Sequence, residues 1–542
     1  MKHIRSYLLN ASLLFGVSLL MRTVSVAFNA YVAGAVGAEA MGLYSLLSGI
    51  YGFAVTLATS GIHITTVRMV TDAMGKEDHG RVRECLAQCL GYAAAFSAAA
   101  SLLLFFGADF IGTVLLADER TVRSLRFLSL TLIPISLSNV CNGYFTAVRR
   151  SWKNAVIQVL EQAVRIATVS FLLSFLIPYG VEFACAALAI GGAAAECISF
   201  FISFAAFLRD KKRTVRREST VCRQSVRQTL LQTALPIAFS AYARSGLISI
   251  EHMLIPRGLS RFGGTQSGAL AQYGLLQSMA LPIVLFPAAL IIAFSGLLIP
   301  EITECCTRNN HRQIRYICER VTQLALLFSI GVAGIMICFS EELGAVIYPG
   351  TDAGRYIRLL APLIPVMYID TTVDSMLKGL GEQLYCMTVN IIDSLLSVLL
   401  VWILLPRFGI MGYVVTIYIT ELINATCSIT RLLQKSGMHP HLMKWVSKPL
   451  LCVVGATCAA NLFFHQFPFF GENSALRLTV HIVFTAVLYL ALARATYSFD
   501  AEDTRWAFSI FKKAPPIRDR CEERRLPSGK YGRHASQSTY RG

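Results

Sequence analysis

The sequence predicts an all-α polytopic membrane protein of about fourteen transmembrane helices. They form two six-helix lobes related by an internal repeat, with two extra helices at the C-terminal end. Three observations carry that expectation. Of 542 residues, 55% are hydrophobic and only 15% charged, against roughly 25% charged in ordinary soluble proteins; mean hydropathy is +0.56. Apolar stretches able to cross a hydrocarbon core of roughly 30 Å recur along the whole chain. Lys and Arg concentrate on alternate connections between them.

Fourteen such stretches lie near residues 8–32, 43–67, 86–107, 124–147, 155–177, 183–208, 230–250, 270–299, 319–340, 357–377, 384–405, 410–430, 446–465 and 476–496. With the N-terminus inside, the inner connections hold 37 Lys and Arg and the outer loops 9; Arg22, Arg165 and Arg244 lie within spans. This asymmetry predicts a multi-pass protein of the cytoplasmic membrane with both termini cytoplasmic. It also accounts for the net charge of +17: the basic residues are spread over many loops, not gathered into a nucleic-acid stripe. The first apolar run contains Arg22, lacks a small-x-small cleavage site and is followed by further spans, so it reads as a helix rather than a cleaved signal peptide.

The connections are short. The longest, 209–229, is a basic linker too small for a domain, and the tail 497–542 reads as a basic, partly disordered cytoplasmic segment suited to anionic lipid. Fifteen cysteines are scattered singly, with Cys141, Cys185, Cys338 and Cys427 inside apolar runs, and read as packing residues.

Residues 154–166 (NAVIQVLEQAVRI) parallel 386–398 (CMTVNIIDSLLSV), which sets Glu161 opposite Asp393. Each segment follows a Pro-bearing span (Pro134, Pro365) and precedes a Pro-then-Gly turn, at 178–180 and 406–409. Six spans separate the copies, so they share one orientation. The expected division is 1–229 for spans 1–6, 230–440 for spans 7–12 and 441–496 for spans 13–14, with the substrate cleft between the lobes.

Enzyme motifs are absent. Arg524 stands where a Walker A glycine ahead of Gly529-Lys530 would be, and HExxH, GxSxG and GxGxxG arrangements are missing. His439 and His441 have no carboxylate or Cys partners to make a metal site. The expectation is a non-enzymatic transporter without a cofactor, driven by an ion gradient, the membrane potential or the substrate's own gradient.

Charges inside spans cost at least a few kcal/mol, so each marks a functional candidate. Arg22 lies mid-span between apolar runs, and Arg244 is a second such cation; a guanidinium facing the cleft suits an anionic phosphate. Glu161 and Arg165 stand i, i+4 and pair within one helix, a spacing that serves packing by itself. Asp370, Asp374 and Lys378 make a stripe on span 10, and Asn142 with Asn139 and Gly143 marks span 4. The residues assigned to the substrate cavity are Arg22, Arg244, Asn142, Glu161, Arg165 and Asp374. Oxygen ligands gather on spans 11 and 12, where Asn390 and Asp393 share one face and Thr416, Thr420 and Asn424 another. These suit a monovalent cation or a proton relay; sodium and proton both stay open.

The segments GAEAMGLYSLLSGIY (37–51), NGYFTAVRRSWKNAVIQVLEQAVRI (142–166), IEHMLIPRGL (250–259) and ALAQYGLLQSMALPIVLFPAALIIAFSGLLIPEITE (269–304) carry a resemblance. The chain resembles the polysaccharide-biosynthesis branch of the MOP (MATE-like) flippase superfamily, in its stage V sporulation protein B-like subgroup, from about residue 4 to 435. The resemblance implies a flippase for a lipid-linked oligosaccharide or peptidoglycan precursor, working by alternating access and used in sporulation. It also implies a cavity role for Arg22 and a cation-coupling site near Glu251, Asn390, Asp393 and Thr420. The related lipid II flippases carry cavity arginines in spans 2 and 8, where this chain has none mid-span. The expected partners are a lipid-linked glycan and membrane lipid, no nucleic acid, and the expected state is a monomer. Two other classes stay open: a MATE-type cation-coupled drug antiporter, whose cavity would be acidic, and a non-transporting membrane scaffold for envelope assembly.

Overall fold

The computed structural model describes residues 2–59, 61–75, 78–116, 118–150, 152–214, 226–263, 265–466 and 474–498. Leu14–Phe499 form one compact unit, to which the following applies. Most of the basic tail and the centre of the 209–229 linker lie outside the described residues. All regular structure among the described residues is helical.

The first half of the chain forms α1 (Lys2–Thr59), α2 (Ile62–Gly75), α3 (His79–Asp109), α4 (Thr121–Ser129), α5 (Leu132–Ala147), α6 (Trp152–Leu176) and α7 (Val181–Thr214). The second forms α8 (Val226–Arg261), α9 (Gln266–Gly274), α10 (Leu281–Leu285), α11 (Ala288–Thr307), α12 (His311–Ile347), α13 (Ala353–Leu360), α14 (Ile364–Gly379), α15 (Gln383–Phe408) and α16 (Ile410–Ser436), followed by α17 (Lys448–Gln466) and α18 (Ser474–Ala495). Among the described residues, eleven helical segments are long and apolar enough to cross a membrane, or twelve with the bent pair α4–α5 counted as one span. The expected fourteen are compatible with this. Leu20–Gly75 counts once at 56 residues yet contains most of the first two expected spans, and α8, the expected seventh, is not among the twelve.

Local chemistry sets the breaks. The connection expected over 33–42 between spans 1 and 2 is instead crossed by α1 with one interruption, Gly37 at φ 80° and ψ 174°. Few L side chains tolerate that φ, so glycine alone turns the helix there. The expected single span over 270–299 is divided: a π-helical turn, Leu275–Ala280, separates α9 from α10, and Pro287 stands between α10 and α11. Proline has no N–H for the helix ladder, which ends the preceding turn. Asp78, Thr265 and Asn310 cap α3, α9 and α12 by accepting backbone N–H bonds at 2.9, 3.2 and 3.1 Å.

The repeat is visible in two helical hairpins. The α6–α7 hairpin turns at Gly180 (φ 104°) and the α15–α16 hairpin at Gly409 (φ 59°). Each carries an ion cluster at the end opposite its glycine turn. In the first, buried Asp210 near the end of α7 accepts from Lys153 at 2.6 Å and from Arg150. In the second the signs are reversed: Glu382, just before α15, accepts from Arg431 and Lys435 of α16, each at 2.6 Å. Similar contacts, with acid and base exchanged, hold the base of both hairpins.

The Lys435 ammonium and the Arg431 guanidinium hold the Glu382 carboxylate below its ordinary value of 4.5. The clip therefore contributes in full above that value and loses its contribution as pH falls through the lower folded one. Glu382→Gln is expected to lower the Tm of the purified protein slightly at pH 7, as partly exposed ion pairs do. The gap from the parent should narrow toward pH 3 in a thermal-shift titration. A gap that grows on acidification would remove the clip.

Candidate functional site

The second half of α1 lies against α8 and the start of the divided eighth span. Where α1 meets α9 the backbones touch: a Cβ on Gly42 would lie 1.9 Å from the Leu270 carbonyl oxygen, and one on Gly274 would lie 2.2 Å from that of Ala38. Beside this contact Ser45 and Ser278 share a hydrogen bond, and Ser278 Oγ donates to the Met41 carbonyl at 3.0 Å. Gly42→Leu must push the helices apart, so a loss of roughly 1–3 kcal/mol is expected, the usual cost of overpacking, read as a lowered Tm in detergent.

Further along, the same helices part around a cavity of about 320 Å³, lined by Ser45, Ser48, Gly49, Gly52, Ser245, Ile248, His252 and Gln277. Thr56 Oγ1 donates to Ser245 Oγ at 3.1 Å, and the His252 Nδ1 and Tyr273 hydroxyl lie 2.5 Å apart. Gln277 Oε1 is buried without a hydrogen-bond partner. None of the six residues assigned to the substrate cavity from sequence lines this one.

Those six fall at several places. Arg22 is exposed on α1 and acts electrostatically on Tyr368 of α14. Seven residues on, Asn29 donates to the Ser278 carbonyl at 2.5 Å, so this part of α1 runs beside the second half of the chain. Arg244 is exposed on α8, and its electrostatic neighbour is Asp393 of α15, not Glu251 on its own helix. Asn142 sits where α5 meets α6: its backbone carbonyl accepts from Asn154 Nδ2 at 3.1 Å, and its own Oδ1 is buried without a partner. Asp374 pairs with Lys378 at 3.5 Å.

Glu161 and Arg165 form the expected intrahelical pair at 2.9 Å. The fold adds what the spacing alone left out. Glu196 of α7 meets the same guanidinium at 3.2 Å, and Ser199 Oγ donates to Glu161 Oε2 at 3.1 Å. One cation thus holds two carboxylates across the α6–α7 seam.

The second half gathers more acid. Glu251 of α8 contacts the Ser397 and Tyr413 hydroxyls and lies in electrostatic range of Asp393. Asp370 of α14 accepts from Asn424 Nδ2 of α16 at 3.0 Å, and Glu421 acts on both Asp370 and Asp393. One oxygen each of Asp370 and Asp393 is buried without a partner. The other two cation-coupling candidates bond within their own helices, Asn390 to the Cys386 carbonyl at 2.8 Å and Thr420 to that of Ile417 at 3.3 Å. Four helices bring together Glu251, Asp370, Asp393 and Glu421, with Arg244 and Lys378 as basic neighbours. Among the described residues no group of three or more His, Cys, Asp and Glu side chains is placed to hold a metal ion.

Asp370 and Asn424 stand out in the sequence as parts of stripes on separate spans, whereas Glu196, Glu421, Ser48, Ser245 and Gln277 do not. A Ser or Gln inside an apolar run carries too weak a signal, because a helix satisfies a lone hydroxyl with its own i−4 carbonyl.

Comparison with known proteins agrees with this architecture. A family described as polysaccharide biosynthesis protein matches residues 7–304, and one described as MatE matches 259–403. The chain is 25% identical over 494 residues to stage V sporulation protein B of Bacillus subtilis (strain 168), covering 90% of this chain and 95% of that protein. It is 21% identical over 359 residues to sporulation protein YkvU of the same strain, covering 65% and 78%. Among solved structures it resembles lipid II flippase MurJ in an inward closed conformation (TM-score 0.68, 14% identity, 90% of this chain and 99% of that one). It also resembles a multidrug resistance MATE family transporter of the MOP superfamily in an inward-facing conformation (TM-score 0.59, 15% identity, 79% and 98%). At these identities the two structures speak to a shared fold.

Proposed function

Since the chain belongs to the polysaccharide biosynthesis protein family, in the MOP superfamily of membrane flippases and transporters, we propose that it carries a lipid-linked oligosaccharide or peptidoglycan precursor across the cytoplasmic membrane. The relatives in Bacillus subtilis support a role in sporulation. One observation carries the substrate class: Arg22 and Arg244 are exposed in the middle of apolar helices and make no ion pair among the described residues. An unpaired guanidinium in a span costs a few kcal/mol. The cost is offset if the anion arrives with the substrate, and a diphosphate linking a polyprenyl tail to a sugar is such an anion, read well by the planar fork of arginine.

The mechanism follows from the two halves. Spans 1–6 and 7–12 act as lobes that rock about the contact of α1 with α8 and α9, exposing the cleft to each side in turn. The acidic set around Glu251 and Asp393, with Asn390 and Thr420 beside it, supplies oxygen ligands for a coupling sodium ion or proton. Buried carboxylate oxygens with no donor, on Asp370 and Asp393, support that use. Both termini lie in the cytoplasm on this reading, because the Lys- and Arg-rich connections do.

A second reading rests on the same acidic set and the MatE match in the second half: cation-coupled export of a small organic cation. Proteoliposomes separate the two. Reconstituted protein should translocate a fluorescent polyprenyl-diphosphate saccharide and leave a cationic dye in place. Dye export without lipid movement would reverse that assignment.

A further inference from the structure

We propose that the cavity between α1, α8 and the Leu275–Ala280 turn is a pocket for an uncharged sugar ring, with Gln277 as its specificity-determining residue. This rests on the flippase reading above and names the part of the substrate that the pocket reads. The lining holds Ser45, Ser48, Ser245, His252 and Gln277 and contains no Asp, Glu, Lys or Arg. At about 320 Å³ it lies within the range of small-ligand pockets. Neutral hydroxyl and amide groups complement sugar hydroxyls and acetamido groups, whereas a phosphate calls for cations, and Arg244 stands next to Ser245 along α8.

Gln277 gives the pocket a preference. Its Oε1 is buried and has no donor, a state that costs free energy until something supplies an N–H or O–H. That oxygen is turned away from the open cavity, so a ligand that draws the Gln277 amide into the cavity and supplies the missing donor is favoured over one that cannot, as sites built around a buried polar group discriminate best. Ser48, exposed on the α1 side of the pocket, offers a hydroxyl that can both donate and accept.

Gly52 also lines the pocket. A Cβ built there meets nothing within 4 Å, so this glycine is not required by packing. It leaves space in the middle of a helix where alanine is better by ~1 kcal/mol. A bulkier side chain at this position fills the pocket without disturbing a packed seam.

The test uses the full chain in nanodiscs and two probes, undecaprenyl diphosphate and the same lipid carrying one N-acetylglucosamine. The parent protein is expected to bind the glycosylated lipid at least tenfold more tightly. Gln277→Leu and, independently, Gly52→Leu should each remove that preference and leave the affinity for the bare diphosphate unchanged. Equal weakening of both lipids by both variants would overturn the pocket assignment, as would a parent protein that binds both lipids equally. A parent that binds neither lipid would overturn the flippase reading as well.

Discussion

Replacing Arg22 with Ala is expected to abolish lipid translocation while the protein accumulates in the membrane at its normal level. Most intramembrane charges hold helices together, and removing one partner strands the other at a cost of several kcal/mol. Arg22 is exposed and has no carboxylate partner among the described residues, so the substitution strands nothing and relieves the helix of a charge. A stable protein that no longer transports then points to a group used by the substrate. Arg22→Lys should recover a minor part of the rate, because an ammonium supplies charge without the two-pronged geometry. The measurement is proteoliposome translocation beside complementation of a flippase-deficient strain, with immunoblots for level. Full activity in Arg22→Ala would end the cavity role for this residue.

Arg165→Ala should have the opposite character, a large loss of stability. Its guanidinium holds Glu161 at 2.9 Å and Glu196 at 3.2 Å, with side chains 34%, 23% and 25% exposed. Without it two carboxylates face each other across a helix seam in an apolar bundle. Orphaning buried ion-pair partners costs about 3–5 kcal/mol, and the partial exposure places this case at roughly 3 kcal/mol. The triple variant Glu161→Gln, Arg165→Ala, Glu196→Gln should regain most of the loss, since two amides can bond to each other and to Ser199. Size-exclusion monodispersity and Tm in detergent measure both. An unaltered Tm in Arg165→Ala would show that this triad does not hold α6 to α7.

How far the site was legible follows the range of each interaction. The Glu161–Arg165 pair was readable because both residues stand on one helix four positions apart. Glu196 and Ser199 come from another helix and carry no mark of that partnership. The same holds for Arg244, whose electrostatic neighbour Asp393 comes from α15. Asn142 likewise gains a contact that its own span does not announce: its backbone carbonyl accepts from Asn154 at the α5–α6 contact.

The sequence by itself determined that this is a helical membrane protein with many apolar spans. Those properties depend on length, apolarity and loop charge summed over windows of about twenty residues, which no distant contact can reverse. Only the tertiary structure decided where a span breaks, which carboxylates face which cations, and where hydroxyls and an amide converge on an empty space. The last two depend on side chains of different helices, such as Arg165 with Glu196 or Arg244 with Asp393, meeting in space, and one-dimensional spacing holds no information about that.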